Sequence, residues 1–298
     1  DIMEKGEKSK IAEFYGVKSE QVFVGVGSDD VLAMIFLTFF NDAKPVIFPD
    51  ITYSFYDVWA ELFRIPYKQM PLDENFRLKI DDYKGENGGI VFPNPNAPTG
   101  IYESLDHVEE IIKNNPDVIV IVDEAYIDFG GETALPLIDK YDNLVVVRTF
   151  SKSRSMAGLR IGYAISNPEL IKALNDVKYS YNSYTMNRPS LVLGVESIHD
   201  DAYFREKVGQ IIATRERFVK EIAELGFTCL PSSANFVFAT HESISAKKIF
   251  AAAKENNIYV RYFDKPRIDN YLRISIGTDA EMDAFVAFLK GYVETKQN

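Results

Sequence analysis

The stretch DVIVIVDEAYIDF at 117–129 decides the fold. Val118 to Val122 are all β-branched, and Asp123 and Glu124 follow them directly. So apolar a run suits a strand buried on both faces, in a parallel sheet covered by helices. A carboxylate at the end of such a strand is poorly solvated unless a cation meets it. Two cations would satisfy it: the partner in a buried structural ion pair, or a bound cationic ring nitrogen.

Similar runs lie on either side: QVFVGV at 21–26, KPVIFP at 44–49, GIVFPN at 89–94, NLVVVRTF at 143–150 and LRIGYAI at 159–165. Helical stretches separate them near 29–40, 53–63, 102–115 and 153–158. Strands and helices in alternation predict an α/β domain with right-handed crossovers. Around Pro168 the texture changes. Helices are expected at 168–178 and 201–225, the second with Ile211, Ile212, Arg215, Phe218 and Ile222 on one face. Strands are expected at 227–230, 234–239, 257–262 and 271–276, and helices at 243–256 and 280–293. The expected organisation is a three-layer, mostly parallel large α/β domain over 1–180 and a smaller α+β domain over 181–298.

Composition narrows the function. The 298 residues carry 44 Asp and Glu against 33 Lys and Arg, a net charge of −11, which argues against nucleic acid as the main partner. The single cysteine, Cys229, cannot build a disulfide scaffold and suits a reducing, cytoplasmic setting. The apolar run VLAMIFLTFF at 31–40 is about half the length that crosses a bilayer, so no membrane association is expected. The opening DIMEKGEKSK has neither an apolar signal core nor a transit-helix pattern. The three histidines, His107, His199 and His241, are far apart and no CxxC pair accompanies them, so no metal site is expected.

Three further clusters stand at expected strand ends, where open α/β sheets bind ligands. FPNPNAPTG at 92–100 is a fixed turn offering the amides of Asn94 and Asn96; a rigid loop without chemistry is the other reading. TFSKSRSMAGLRIG at 149–162 sets Lys152 among Ser151, Ser153 and Ser155, with Arg160 eight residues on. Such a loop cradles anions around an amine, though it lacks the GxxxxGK[ST] of a nucleotide loop. GVGSDDVLAM at 25–34 passes from strand to helix through Gly25, Gly27 and Ser28. Its N–H groups suit a phosphate, while Asp29 and Asp30 equally stabilise the helix start. Asn96 to Asp123 is 27 residues and Asp123 to Lys152 is 29, each about one strand–helix–strand unit, which brings the clusters to one sheet edge. An amide, a carboxylate, Tyr126, a lysine and an arginine converging there are what a pyridoxal phosphate site needs.

The strings VGVGSDD, PDITYSFY, NPNAPTG, DEAYIDF, RTFSKSRSMAGLRIGY, IYVRYF and YLRISIGT resemble the fold-type I pyridoxal-phosphate-dependent aminotransferases, and most closely the histidinol-phosphate aminotransferase family. The resemblance implies the large-domain-plus-small-domain fold of those transferases, a homodimer, and an N-terminal arm ahead of residue 1 that reaches the neighbour's cofactor phosphate. It makes Lys152 the cofactor-bonding amine and proton shuttle, Asp123 the partner of the ring nitrogen and Tyr126 a donor to the ring oxygen. Tyr53 would stack on the ring; Ser28, Asp29, Ser151 and Arg160 would hold the phosphate. Arg273 would take an α-carboxylate, and Arg261 a substrate phosphate or the distal carboxylate of glutamate. The family usually reads Asn-Asn-Pro-Thr-Gly where this chain has Ala97 in second place, so either Asn96 reaches the ring oxygen from one residue earlier, which is the expectation, or that hydrogen bond is weakened. The implied reaction interconverts histidinol phosphate and 2-oxoglutarate with imidazole-acetol phosphate and glutamate. Aromatic amino acids, or decarboxylation of a threonine phosphate, are the alternatives on the same frame.

Overall fold

The computed structural model describes residues 2–297. Seven strands, β1 (Val22–Val26), β2 (Val46–Pro49), β3 (Tyr67–Met70), β4 (Gly89–Pro93), β5 (Val120–Asp123), β6 (Leu144–Thr149) and β7 (Ile161–Ser166), form one sheet in the order β1-β7-β6-β5-β4-β2-β3. β3, β2, β4, β5 and β6 are mutually parallel, and β7 runs antiparallel to both β6 and β1. The strand at 117–123 is thus central, and β5 and β6 are buried along their whole length.

Alternate residues feed two cores. On one face Phe92, Val120, Val122, Leu144 and Val146 pack with α1 (Ile2–Tyr15) and α4 (Leu105–Lys113). On the other, Val91, Ile121, Val145 and Val147 pack with α2 (Ser28–Phe39), α3 (Tyr56–Phe63) and α5 (Pro168–Tyr181). These are the three layers expected of a continuously apolar parallel sheet. The chain signals its helix starts locally: Ser104 Oγ accepts from His107 N, and Asn167 accepts from Leu170 N ahead of Pro168.

After α6 (Arg188–His199) and α7 (Asp201–Ala223), a second, antiparallel sheet has the order β10-β11-β9-β8, from β8 (Phe227–Cys229), β9 (Phe236–His241), β10 (Arg261–Tyr262) and β11 (Leu272–Ser275). Its core joins α7, α8 (Ala246–Glu255) and α9 (Asp279–Gln297) through Phe218, Ile222, Ile249, Phe285 and Leu289. Arg215, expected on the apolar face of α7, is buried there as a clasp: its Nη1 donates to Phe129 O at 3.0 Å and Ala234 O at 2.7 Å. That bond ties the second sheet to the loop carrying Tyr126.

The structure corrects several expectations. β3 escapes the sequence because Lys68 and Gln69 on this edge strand are exposed. No α-helix forms at 153–158; the segment turns back, closing in a short 3-10 turn at Ala157–Leu159. Helix α6 was not expected from the sequence, and it packs against α1. Ile198 lies in the first core, and Gly194 abuts Glu7 of α1.

Candidate active site

The carboxyl-terminal ends of β1, β2, β4, β5 and β6 open on one edge of the large sheet, and one pocket there is lined by Ser28, Asp29, Tyr53, Pro93, Ala97, Asp123, Ala125, Tyr126, Ser151, Lys152, Ala157 and Arg160. Eight of the eleven predicted site residues therefore meet in one place. Tyr53 and Ala97 also line the adjoining cleft, whose far wall holds Arg261 and Arg273.

Asp123 is the deepest group, only 5 % exposed. Ala125 N donates to its Oδ1 at 3.2 Å, and Tyr56 Oη to its Oδ2 at 2.9 Å. Burial pushes its carboxyl up to about 6, against the lowering by those two hydrogen bonds. Its immediate neighbour has the opposite arrangement. Glu124 accepts from Thr133, Ala134 N and Arg148 Nε, the last at 3.0 Å, in a buried ion pair. Of the two readings open for the acids at this strand end, the structural ion pair belongs to Glu124. Asp123, without an ion-pair partner among the described residues, faces the pocket.

Lys152 lies in the loop that follows β6, its Nζ 5.3 Å from the centre of the Tyr126 ring and unpaired with any carboxylate among the described residues. The Tyr126 hydroxyl has no hydrogen-bond partner there either, which leaves it free to donate. The loop is anchored next door, where Ser153 Oγ donates to Asp128 Oδ2 at 2.5 Å and Arg148 Nη1 to Asp128 Oδ1 at 3.2 Å.

At the opposite end of the pocket, α2 begins at Ser28, and its first N–H groups have no acceptor within the helix. Gly27 has φ of 84°, and a Cβ there would stand 2.4 Å from Arg160 Nη2. Arg160 Nη2 donates to Asp29 Oδ2 at 3.2 Å, and Tyr53 Oη to Asp29 Oδ1 at 2.7 Å. One carboxylate thus aims the guanidinium and the aromatic ring together. Desolvation and the Asp29 hydrogen bond both hold the Tyr53 hydroxyl in its neutral form.

Asn96 does not take the part expected of it. Its amide donates to Ile51 O and Thr99 Oγ1, both at 3.0 Å, and its Oδ1 accepts from Thr52 Oγ1 at 3.2 Å. The group is consumed in pinning the turn, and Ala97 forms the pocket wall instead. Asn94 is spent likewise on the two backbone groups of Glu103. Tyr126 is therefore the side chain left to meet a ring oxygen on that side.

Arg261 and Arg273 pair across β10 and β11. Arg273 packs against Phe236 and Phe263, its guanidinium 5.3 and 5.9 Å from the ring centres. Desolvation, with the like charge of Arg261, makes its cation costlier than usual. Two residues were missed from sequence. Tyr56, three places after Tyr53, is the first residue of α3. Arg267 donates to Asp50 Oδ2, Leu72 O and Asp73 O, latching the loop between β10 and β11 onto the large sheet.

The donor set fits pyridoxal phosphate: an unpaired amine, a buried carboxylate wanting a cation, a free phenol, and a helix start with an arginine for a dianion. Residues 6–289 match the model of the aminotransferase class I and II family, and the chain belongs to that family of pyridoxal-phosphate-dependent transaminases. Within it, the chain is 50% identical over 293 residues to the histidinol-phosphate aminotransferase of Lactococcus lactis subsp. lactis strain IL1403, covering 98% of this chain and 81% of that one. It is 50% identical over 283 residues to the histidinol-phosphate aminotransferase of Clostridium botulinum strain 657, covering 95% and 80%. In fold it matches the histidinol-phosphate aminotransferase of Sinorhizobium meliloti in complex with pyridoxal-5'-phosphate, with a TM-score of 0.89 at 23% identity over 98% of this chain and 82% of that one. Among the described residues no helix is long and apolar enough to cross a membrane.

Proposed function

We propose that the protein transfers the amino group between L-histidinol phosphate and 2-oxoglutarate, giving imidazole-acetol phosphate and L-glutamate, a step of histidine biosynthesis in the cytoplasm. The observation that carries the substrate reading is the pair of arginines, Arg261 and Arg273, without a carboxylate partner among the described residues, in the cleft that adjoins the Lys152 pocket at Tyr53 and Ala97. One substrate carries a phosphate and the other carboxylates, and a guanidinium fork accepts either.

Pyridoxal phosphate, when bound, supplies an aldehyde carbon to hold the amino group and a ring to take up the electron pair left by the departing Cα proton. Lys152 would hold that carbon, and its amine would carry the proton to and from the substrate's Cα. Asp123 keeps the ring nitrogen protonated, because an anion beside that nitrogen raises its pKa. Tyr126 donates to the ring oxygen and favours its anionic form. Tyr53 covers the ring face, while the N–H groups of Ser28 and Asp29, the hydroxyl of Ser151 and the guanidinium of Arg160 receive the phosphate. Arg273 takes the α-carboxylate of glutamate, and Arg261 its distal carboxylate or the substrate phosphate.

We also read the protein as a homodimer. Phe55, at the cap of α3, and Val58 and Leu62 within it are exposed, as are Tyr179, Tyr181 and Tyr184 at and beyond the end of α5.

The test is a titration of protein reconstituted with pyridoxal phosphate. Histidinol phosphate is expected to discharge the visible band at far lower concentration than phenylalanine, and Lys152→Ala to lose turnover altogether. Preference for phenylalanine, or release of carbon dioxide from a threonine phosphate, would overturn the substrate reading.

A further inference from the structure

We infer that Tyr56 is a positioning residue that holds the Asp123 carboxylate in the orientation and charge state the ring nitrogen requires. The inference rests on the cofactor reading above and adds a group that reading does not use. Tyr56 is completely buried in the first turn of α3, its ring stacked near Phe36 and edge-on to Phe48 and Tyr53. Such a phenol cannot rotate freely, and its hydroxyl must find a partner. The partner is Asp123 Oδ2, at 2.9 Å.

The geometry constrains the carboxylate at both oxygens. Ala125 N, on the strand's own loop, holds Oδ1, and Tyr56, from a helix reached by a separate crossover, holds Oδ2. Two donors from two elements stop the group rotating about its last bond. Each oxygen keeps lone-pair capacity for an incoming N–H.

The charge argument points the same way. Burial disfavours the ionised form, and the nearby Asp29 adds to this; Tyr56, Ala125 N and Lys152 oppose it, Tyr56 most strongly. Without Tyr56 the balance tips towards a neutral acid, which offers the ring nitrogen no counter-charge. Tyr53 lies just ahead of α3 and Tyr56 is its first residue, so one short segment would fix both the ring face and the ring's charge partner.

The experiment uses pyridoxamine 5'-phosphate, which keeps the ring nitrogen and phosphate and forms no bond with Lys152. Its affinity for the cofactor-free protein is measured against pH for the native chain, Tyr56→Phe, Asp123→Asn and the double variant. Tyr56→Phe keeps the buried ring, and the ligand's own ionisations are common to all four proteins. Binding to the native chain is expected to weaken as pH falls through about 6. In Tyr56→Phe that midpoint should rise by about one unit, which weakens binding roughly tenfold on the acid side of the midpoint and about twofold at neutral pH. In the Asp123→Asn background the same change should have no further effect. An unmoved midpoint, or an equal loss in both backgrounds, would overturn the role of Tyr56. If Asp123→Asn itself binds as the native chain does, the assignment of Asp123 to the ring nitrogen fails instead.

Discussion

Arg261 and Arg273 stand directly opposite one another on adjacent antiparallel strands, and neither has a carboxylate partner among the described residues. Both guanidiniums lie over Phe263, at 5.5 and 5.9 Å. Like charges held together on an aromatic floor are unfavourable without an anion, and that cost is recovered when one binds.

The first prediction concerns these two. Replacing Arg273 by Lys keeps the charge and loses the fork, so kcat/KM for glutamate should fall by about 1.5–3 kcal/mol equivalent, roughly 10- to 100-fold. Arg261→Gln should cost histidinol phosphate more than it costs a phosphate-free amino acid. Steady-state kinetics with both substrate types tests this; equal losses for all substrates would refute the division of labour.

Gly27→Ala should weaken phosphate binding specifically. The new Cβ would strain a backbone at φ of 84° and displace Arg160 from its place beside α2. Affinity for pyridoxamine 5'-phosphate should drop about tenfold or more, whereas affinity for the phosphate-free amine should change little. A proportional loss for both ligands would point to general disruption.

Arg148→Met should destabilise the protein strongly. It removes the buried cation shared by Glu124 and Asp128, at 3.0 and 3.2 Å, together with the bond to Tyr15 Oη at 2.8 Å. Stranding the buried Glu124 carboxylate costs about 3–5 kcal/mol, and Arg148→Met with Glu124→Gln should recover part of it. Urea denaturation of both variants measures the difference.

Glu7 predicts a pH dependence. Both its oxygens are buried without a hydrogen-bond partner among the described residues, and burial, with Glu4 nearby, pushes its carboxyl from 4.5 up to about 8 despite Lys178. The folded state then keeps a proton that the unfolded chain has lost, so this group's contribution is full below pH 4.5 and is lost as pH rises to about 8. Glu7→Gln should remove that slope and gain up to about 5 kcal/mol at the alkaline end, with no gain in acid. Thermal melts across the range would show it, and a pH-independent difference would contradict it.

What the linear order of residues determined is the sheet and the chemistry placed at its edge. Strands as apolar as Val118–Val122 have few alternatives to a doubly covered parallel sheet, and repeats of one strand–helix–strand unit put Lys152, Asp123 and the Gly27 turn on the same side. Local composition sufficed there because burial on both faces is written in every residue of the strand. It was silent on β3, whose exposed Lys68 and Gln69 carry no such mark, and on α6, which is held by packing against α1.

Tertiary structure alone decided which polar groups are spent and which remain free. Asn96 and Ala97 are neighbours, and only the folded turn shows the amide consumed by Ile51, Thr52 and Thr99 while the methyl faces the pocket. Asp123 and Glu124 are likewise adjacent acids. One is neutralised by Arg148 from β6 and the other clamped by Tyr56 from α3, because successive side chains of an extended chain point to opposite faces. Hydrogen-bond satisfaction is a long-range property, settled by partners that the order of residues does not bring together.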